Sequence, residues 1–158
     1  MNNSRQTVLS HPFFHGMKPA YLEVLADCAT EAEFEAGEML FREGEPANKF
    51  YLIKTGKVRL EAHDRVSGTT LVQELGPGDV LGWSWLFPPF VWHFQASATE
   101  PMEAVGLSGG RLLNVAEHNP EFGYEMMKRV AQVVIHRLQS TRKQLVALAK
   151  ATEAALES

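Results

Sequence analysis

The sequence predicts a mainly β domain with flanking helices, of α+β class, ending in one long helix. Three observations carry this. Six to eight short runs bounded by Gly or Pro fill the middle of the chain, the pattern of a sandwich or barrel. Before residue 31, apolar residues recur at helical spacing. After residue 108 the helical period returns and is sustained. The expected division is an N-terminal helical segment at 1–30, a β core at 31–108, and a short plus a long helix at 109–158.

The first segment reads as helical over residues 7–30. Pro12 and Gly16 interrupt its beginning, and Pro19 suits the first turn of the next helix. Tyr21, Leu22, Leu25, Ala26 and Ala29 form its apolar face. The period changes from Ala32. Phe50 to Ala62 alternates around Gly56 and predicts two strands meeting at a tight turn. Leu71 to Leu75, Gln95 to Glu100 and Met102 to Leu107 are further strands. Between Ala62 and Thr70 lies a polar hairpin loop.

Arg111 to Ala116 predicts a short helix that stops near Asn119-Pro120. A long helix follows from about Glu121. Along it Met127, Ala131, Val134, Leu138, Thr141, Leu145, Leu148 and Thr152 are spaced 4, 3, 4, 3, 4, 3, 4, a heptad seam. We expect a homodimer interface built on Met127, Val134, Leu138, Thr141 and Leu145. A long helix needs such packing to be stable. Arg129, Arg137, Arg142, Lys143 and Lys150 mostly lie off the seam and read as solvated faces.

The 158 residues suit one domain with one sizeable core. Hydrophobic residues make up 45% and charged residues 22%, ordinary values for a globular protein. The net charge of −4 argues against a chain whose main work is holding nucleic acid. Cys28 is the only cysteine, so no internal disulfide or CxxC metal site is expected. That fits a reducing cytoplasm, the expected location. The N-terminus, Met1 to Gln6, lacks the apolar run of a signal peptide, and no segment reaches the length of a membrane span.

Gly82 to Phe94 stands apart. It holds all three tryptophans and three of the nine phenylalanines, and no charged residue. An uncharged aromatic stretch of this density fits three roles: lining a pocket, plugging one or facing a partner. For a ligand pocket, which is typically apolar with a few polar groups, the candidate residues are Gly82, Trp83, Ser84, Trp85, Trp92, His93 and Gln95. Other candidates are weak. His11 and His15 have i, i+4 spacing, but Pro12 and Gly16 break the helix a metal pair would need. Gly109-Gly110 lacks the Lys-Ser/Thr of a phosphate loop. No Ser-His-Asp order or carboxylate pair supports catalysis, so no enzyme and no metal site is expected.

The order of helix, short-stranded roll, short helix and long helix carries three further local sequences. They are Gly37-Glu38-Met39-Leu40-Phe41-Arg42-Glu43-Gly44-Glu45, Phe50-Tyr51-Leu52-Ile53-Lys54-Thr55-Gly56-Lys57-Val58 and Leu75-Gly76-Pro77-Gly78-Asp79-Val80-Leu81-Gly82. Together they resemble the cyclic nucleotide-binding domain of the catabolite activator protein (Crp/Fnr) superfamily, from about residue 11 to 150. The resemblance implies a double-stranded β-helix, or jelly roll, with a ligand inside it. It also implies a cassette after the turn at 75–79. There a helix N-terminus and an Arg hold the cyclic phosphate, and a Glu directly after the Gly matching Gly82 accepts the ribose hydroxyl.

This chain departs at both charged positions. The Glu position is Trp83, the Arg position aligns with Trp92, and the adjacent Ser/Thr position with His93. No arginine occurs between residues 66 and 110. An unpaired phosphate in such a pocket costs several kcal/mol, against about −8 kcal/mol for micromolar binding. We therefore expect no ordinary cAMP or cGMP affinity, and the cofactor is unknown. Three readings stay open. The tryptophans plug the pocket of a ligand-free interaction scaffold. Or they stack on a different small-molecule ligand beside Ser84, His93 or Gln95. Or a nucleotide still binds by stacking on Trp83 or Trp92. Relatives of the activator type carry a winged helix-turn-helix of about 70 residues after the long helix. None is expected here, so output is expected through a dimer or a protein partner, without DNA or membrane contact.

Overall fold

A computed structural model describes residues 3–66 and 68–157. Met1, Asn2 and Ser158, at the outer ends of the first and last segments, and Ser67 in the polar hairpin loop lie outside the described residues. In chain order the elements are α1 (Asn3–Ser10), a 3-10 turn (Pro12–Phe14) and α2 (Pro19–Asp27). Then come β1 (Ala29–Phe34), β2 (Met39–Phe41), β3 (Lys49–Thr55), β4 (Val58–Asp64), β5 (Gly68–Leu75) and β6 (Val80–Leu81). A 3-10 turn (Ser84–Leu86), β7 (Gln95–Ala98), β8 (Met102–Ser108), α3 (Gly109–His118) and α4 (Pro120–Glu157) complete it.

The strands form two antiparallel four-stranded sheets, ordered β1-β8-β3-β6 and β2-β7-β4-β5. Alternation in β3 and β8 sorts side chains to two cores. Phe50, Leu52, Val105 and Leu107 face the helices, where they meet Phe14, Leu25, Leu112, Phe122 and Met126. Ile53, Met102 and Ala104 face into the roll with Phe41, Val58, Leu60, Leu81 and Ala96. A sheet apolar on both faces is covered on both, and each buried Leu, Ile or Phe stabilises by about 1.5–3 kcal/mol.

Two expectations change. The helical reading of 7–30 stops at Asp27: Cys28 caps α2, and Ala29 already pairs with Leu107. The two strands around Gly56 are not a hairpin. β3 pairs with β6 and β8, while β4 pairs with β5 and β7. The turn carries the chain from one sheet to the other. Gly56 has φ +91°, and a Cβ there would lie 2.4 Å from Met102 Cβ, so only glycine fits the crossing.

The helix termini follow sequence. Ser108 Oγ accepts from the Arg111 amide to start α3, and the Asn119 side chain accepts from Phe122 before α4. His11 and His15 share no helix. His11 Nδ1 accepts from the Phe13 amide as the cap of the first 3-10 turn, and His15 follows that turn. Among the described residues no helix is long and apolar enough to cross a membrane.

Candidate functional site

The loop from Gly82 to Phe94 enters from β6 with a sharp turn. Gly82 has φ +89°, a left-handed conformation that glycine accepts readily. The helix expected after it is a single 3-10 turn, Ser84–Leu86. The loop tip contains a cis Pro88-Pro89 bond, and the Gly44–Ala47 turn pins its return. The Gly44 amide donates to Trp92 O, the Trp92 amide to Glu45 O, and the Ala47 amide to Phe90 O. These bonds fix where Trp92 stands.

The indole of Trp92 lies flat on Phe41, with ring centroids 3.7 Å apart and planes 10° from parallel, inside the roll. The cavity left there is about 20 Å³, room for about one water. Gly82, Trp83, Ser84, Trp92 and His93 line it, together with Phe41, Leu60, Leu81, Phe94 and Arg137. Five of the expected pocket residues thus converge. Ser84 Oγ is buried and lies 3.2 Å from Nδ1 of the exposed His93.

Trp85 and Gln95 do not line this cavity. Trp85 packs into the helix-facing core, edge-on to Phe50 at 5.8 Å and close to Gly109 at the start of α3. Its Nε1 is buried without a hydrogen bond. Gln95 sits on β7 opposite Glu61 of β4.

The charged residue of the site comes from α4. Arg137, on the middle of α4, is only 9% exposed. It was expected on a solvated face. Its guanidinium instead stacks over Trp83, 4.7 Å from the ring centre, and donates to Val80 O. Desolvation drops its pKa to about 10, with Asp79 pulling the other way. The only advance signal was an Arg one position from Leu138 in a heptad pattern. Such a residue is ordinarily solvated, and its burial depends on where α4 crosses the cassette.

The proposed dimer residues occupy one exposed stripe of α4. Met127, Val134, Thr141, Leu138 and Leu145 are all exposed, the last two at 66%. Every residue from 141 to 157 is exposed. Among the described residues no group of three His, Cys, Asp or Glu side chains gathers to hold a metal.

A two-sheet antiparallel roll with a ligand-type cassette between β6 and β7, closed by a C-terminal helix, defines a regulatory ligand-binding fold. The chain belongs to the cyclic nucleotide-binding domain family, whose model matches residues 31–119, more than half of the chain. It is 26% identical over 135 residues to a CRP-like cAMP-activated global transcriptional regulator of Mycobacterium tuberculosis. That match covers 85% of this chain and 58% of the regulator, so the chain spans little more than half of that relative. A Geobacter metallireducens GS-15 protein assigned as cyclic nucleotide-binding superposes with a TM-score of 0.76 at 28% identity. That superposition covers 87% of this chain and 99% of the other. The catabolite activator protein of Thermus thermophilus superposes with a TM-score of 0.67 at 24% identity, covering 87% and 63%.

Proposed function

We propose that this chain is a sensor or regulatory domain, dimeric through α4, whose nucleotide position is closed by its own aromatic side chains. The observation that carries this reading is Trp92 stacked on Phe41 inside the roll, leaving about 20 Å³. A cyclic nucleotide needs far more room than that and a cation free to meet its phosphate. The loop supplies neither, because Trp83 and Trp92 stand at the two charged positions of the family pattern, and the cation that lines the cavity, Arg137 of α4, is stacked on Trp83. Entry would require breaking the Trp92–Phe41 stack and opening the Gly44–Ala47 hydrogen bonds.

The apolar stripe on α4 supports a second copy of this chain as the dimer partner. The heptad spacing suits a like helix, and each buried Leu of the stripe would contribute about 1.5–3 kcal/mol. Output then passes through the dimer or a protein bound to it. The second reading, a ligand-free interaction scaffold, is favoured by the same filled cavity. Native mass spectrometry of the purified protein separates the two: a retained small molecule supports sensing, its absence the scaffold. Titration of tryptophan fluorescence with cAMP and cGMP tests the closed site. We expect no saturable change, and low-micromolar saturation would overturn the reading.

A further inference from the structure

Arg137 is nine-tenths buried, yet among the described residues no carboxylate comes within ion-pair distance of it. A guanidinium carries five N–H donors. Here the Trp83 face and the Val80 carbonyl engage it, and neither is an anion. Asp79 acts on it electrostatically without forming an ion pair, and a buried cation without a contacting counter-ion is costly.

The same side chain forms part of the wall of a second, larger space. A groove of about 620 Å³ runs between α4 and the Gln73–Val80 turn, with the Pro12–Phe14 turn as its third wall. That volume is in the range of small-molecule sites. Phe13, Leu75 and Val133 give it apolar surface, and Gln132 and His136 are exposed polar groups on the α4 side. Arg129 also lines it, held by donating to the carbonyls of Phe13 and His15. Its acids, Glu74 and Asp79, lie on the turn wall, and the Gly76 amide holds Asp79 Oδ2 at 2.9 Å.

We propose that this groove binds a small organic oxyanion, with the charged head on the Arg137 guanidinium and the body against Phe13 and Val133. The groove shares Arg137 with the nucleotide position but is otherwise lined by different residues, and filling it needs no movement of Trp92. Glu74 repels the head from the turn wall, and Asp79, held by the Gly76 amide, is the acid whose field the head must outcompete at Arg137. The ligand's head would supply the missing counter-charge through a charge-assisted, bidentate contact. It would also act next to Val134 and Leu138 on the α4 stripe, which ties the groove to the helix that the regulatory reading uses.

Isothermal titration with phenyl phosphate, benzoate and uncharged benzamide, at constant ionic strength, tests this. We expect saturable binding of at least one anion and none of benzamide. The phosphate and carboxylate arms show which head the groove takes. Arg137→Gln should weaken the anion at least about tenfold, or roughly 1.4 kcal/mol. Gln132→Glu, on the exposed rim, adds a repelling charge without touching a core and should weaken it as well, even if Arg137→Gln fails to fold. Absence of saturation by either anion, equal binding of benzamide, or unchanged affinity in Gln132→Glu would overturn the proposal. Sedimentation of the same samples reports the dimer separately, so loss of the groove site leaves the dimer reading to stand or fall by itself.

Discussion

The ring of Trp92 occupies the space that a side chain on Gly82 would need. A Cβ on Gly82 would lie 2.6 Å from ring atoms Cη2 and Cζ3 of Trp92, and 3.1 Å from Lys49 O. Gly82→Ala therefore meets two penalties. Overpacking costs about 1–3 kcal/mol and the left-handed backbone about 1–2 kcal/mol. Urea denaturation should show a combined loss of about 2–5 kcal/mol. A loss under about 0.5 kcal/mol would show that the ring is not held there in solution.

Removing the ring from the other side gives the converse prediction. Trp92→Ala deletes a buried indole and leaves a cavity against Phe41 and Gly82, which should cost about 3–5 kcal/mol in the same assay. Phe87→Ala, at the exposed loop tip, should cost no more than about 0.5 kcal/mol. Equal effects of the two would contradict the different roles assigned to the loop's aromatic residues.

Acid should destabilise the fold through His11. Burial lowers its pKa from the usual 6.5. Its Nδ1 accepts the Phe13 amide, and its buried Nε2 lies by the Ile53 and Asp79 backbone with no hydrogen bond closed. The unfolded chain thus binds this proton more readily than the folded one. The contribution is complete above about pH 6.5 and is lost as pH falls through the lower folded value. Melting temperatures between pH 8 and 5 should fall more steeply for the wild type than for His11→Asn, which keeps a cap acceptor but does not titrate. Parallel curves would remove His11 from the account.

Leu138→Glu and Leu145→Glu place charges in the middle of the α4 stripe. Both positions are exposed in the single chain, so the substitutions should leave folding of the monomer within about 0.5 kcal/mol. They should raise the dimer dissociation constant at least tenfold, about 1.4 kcal/mol, in sedimentation equilibrium. A wild-type monomer at all accessible concentrations would refute the interface.

Much of the fold was legible because glycines mark its turns and apolar residues alternate at fixed offsets between them. The partners of the strands were less so. Alternation around Gly56 marks two strands equally well whether they pair or part, and only the contact with Met102 decides. The same limit applies to the cassette. Trp83, Ser84, Trp92 and His93 were readable as a group by density and by alignment to a charged pattern. Which core each tryptophan enters was not, because the six loop residues that separate Trp85 from Trp92 carry no period. Arg137 was hidden for a further reason. Its place beside Leu138 looks like any flanking position of a heptad, and its role depends on a helix crossing that no local pattern encodes.

Residues 141–157 of α4 are exposed throughout, a rod of roughly 25 Å at 1.5 Å per residue. A helix of that length is marginal in water without a neighbour. Its winding is then set by how often another molecule lies alongside it. Dilution should act on this segment as heat acts on a core, loosening its turns. Protease cleavage within it would then serve as a gauge of local concentration.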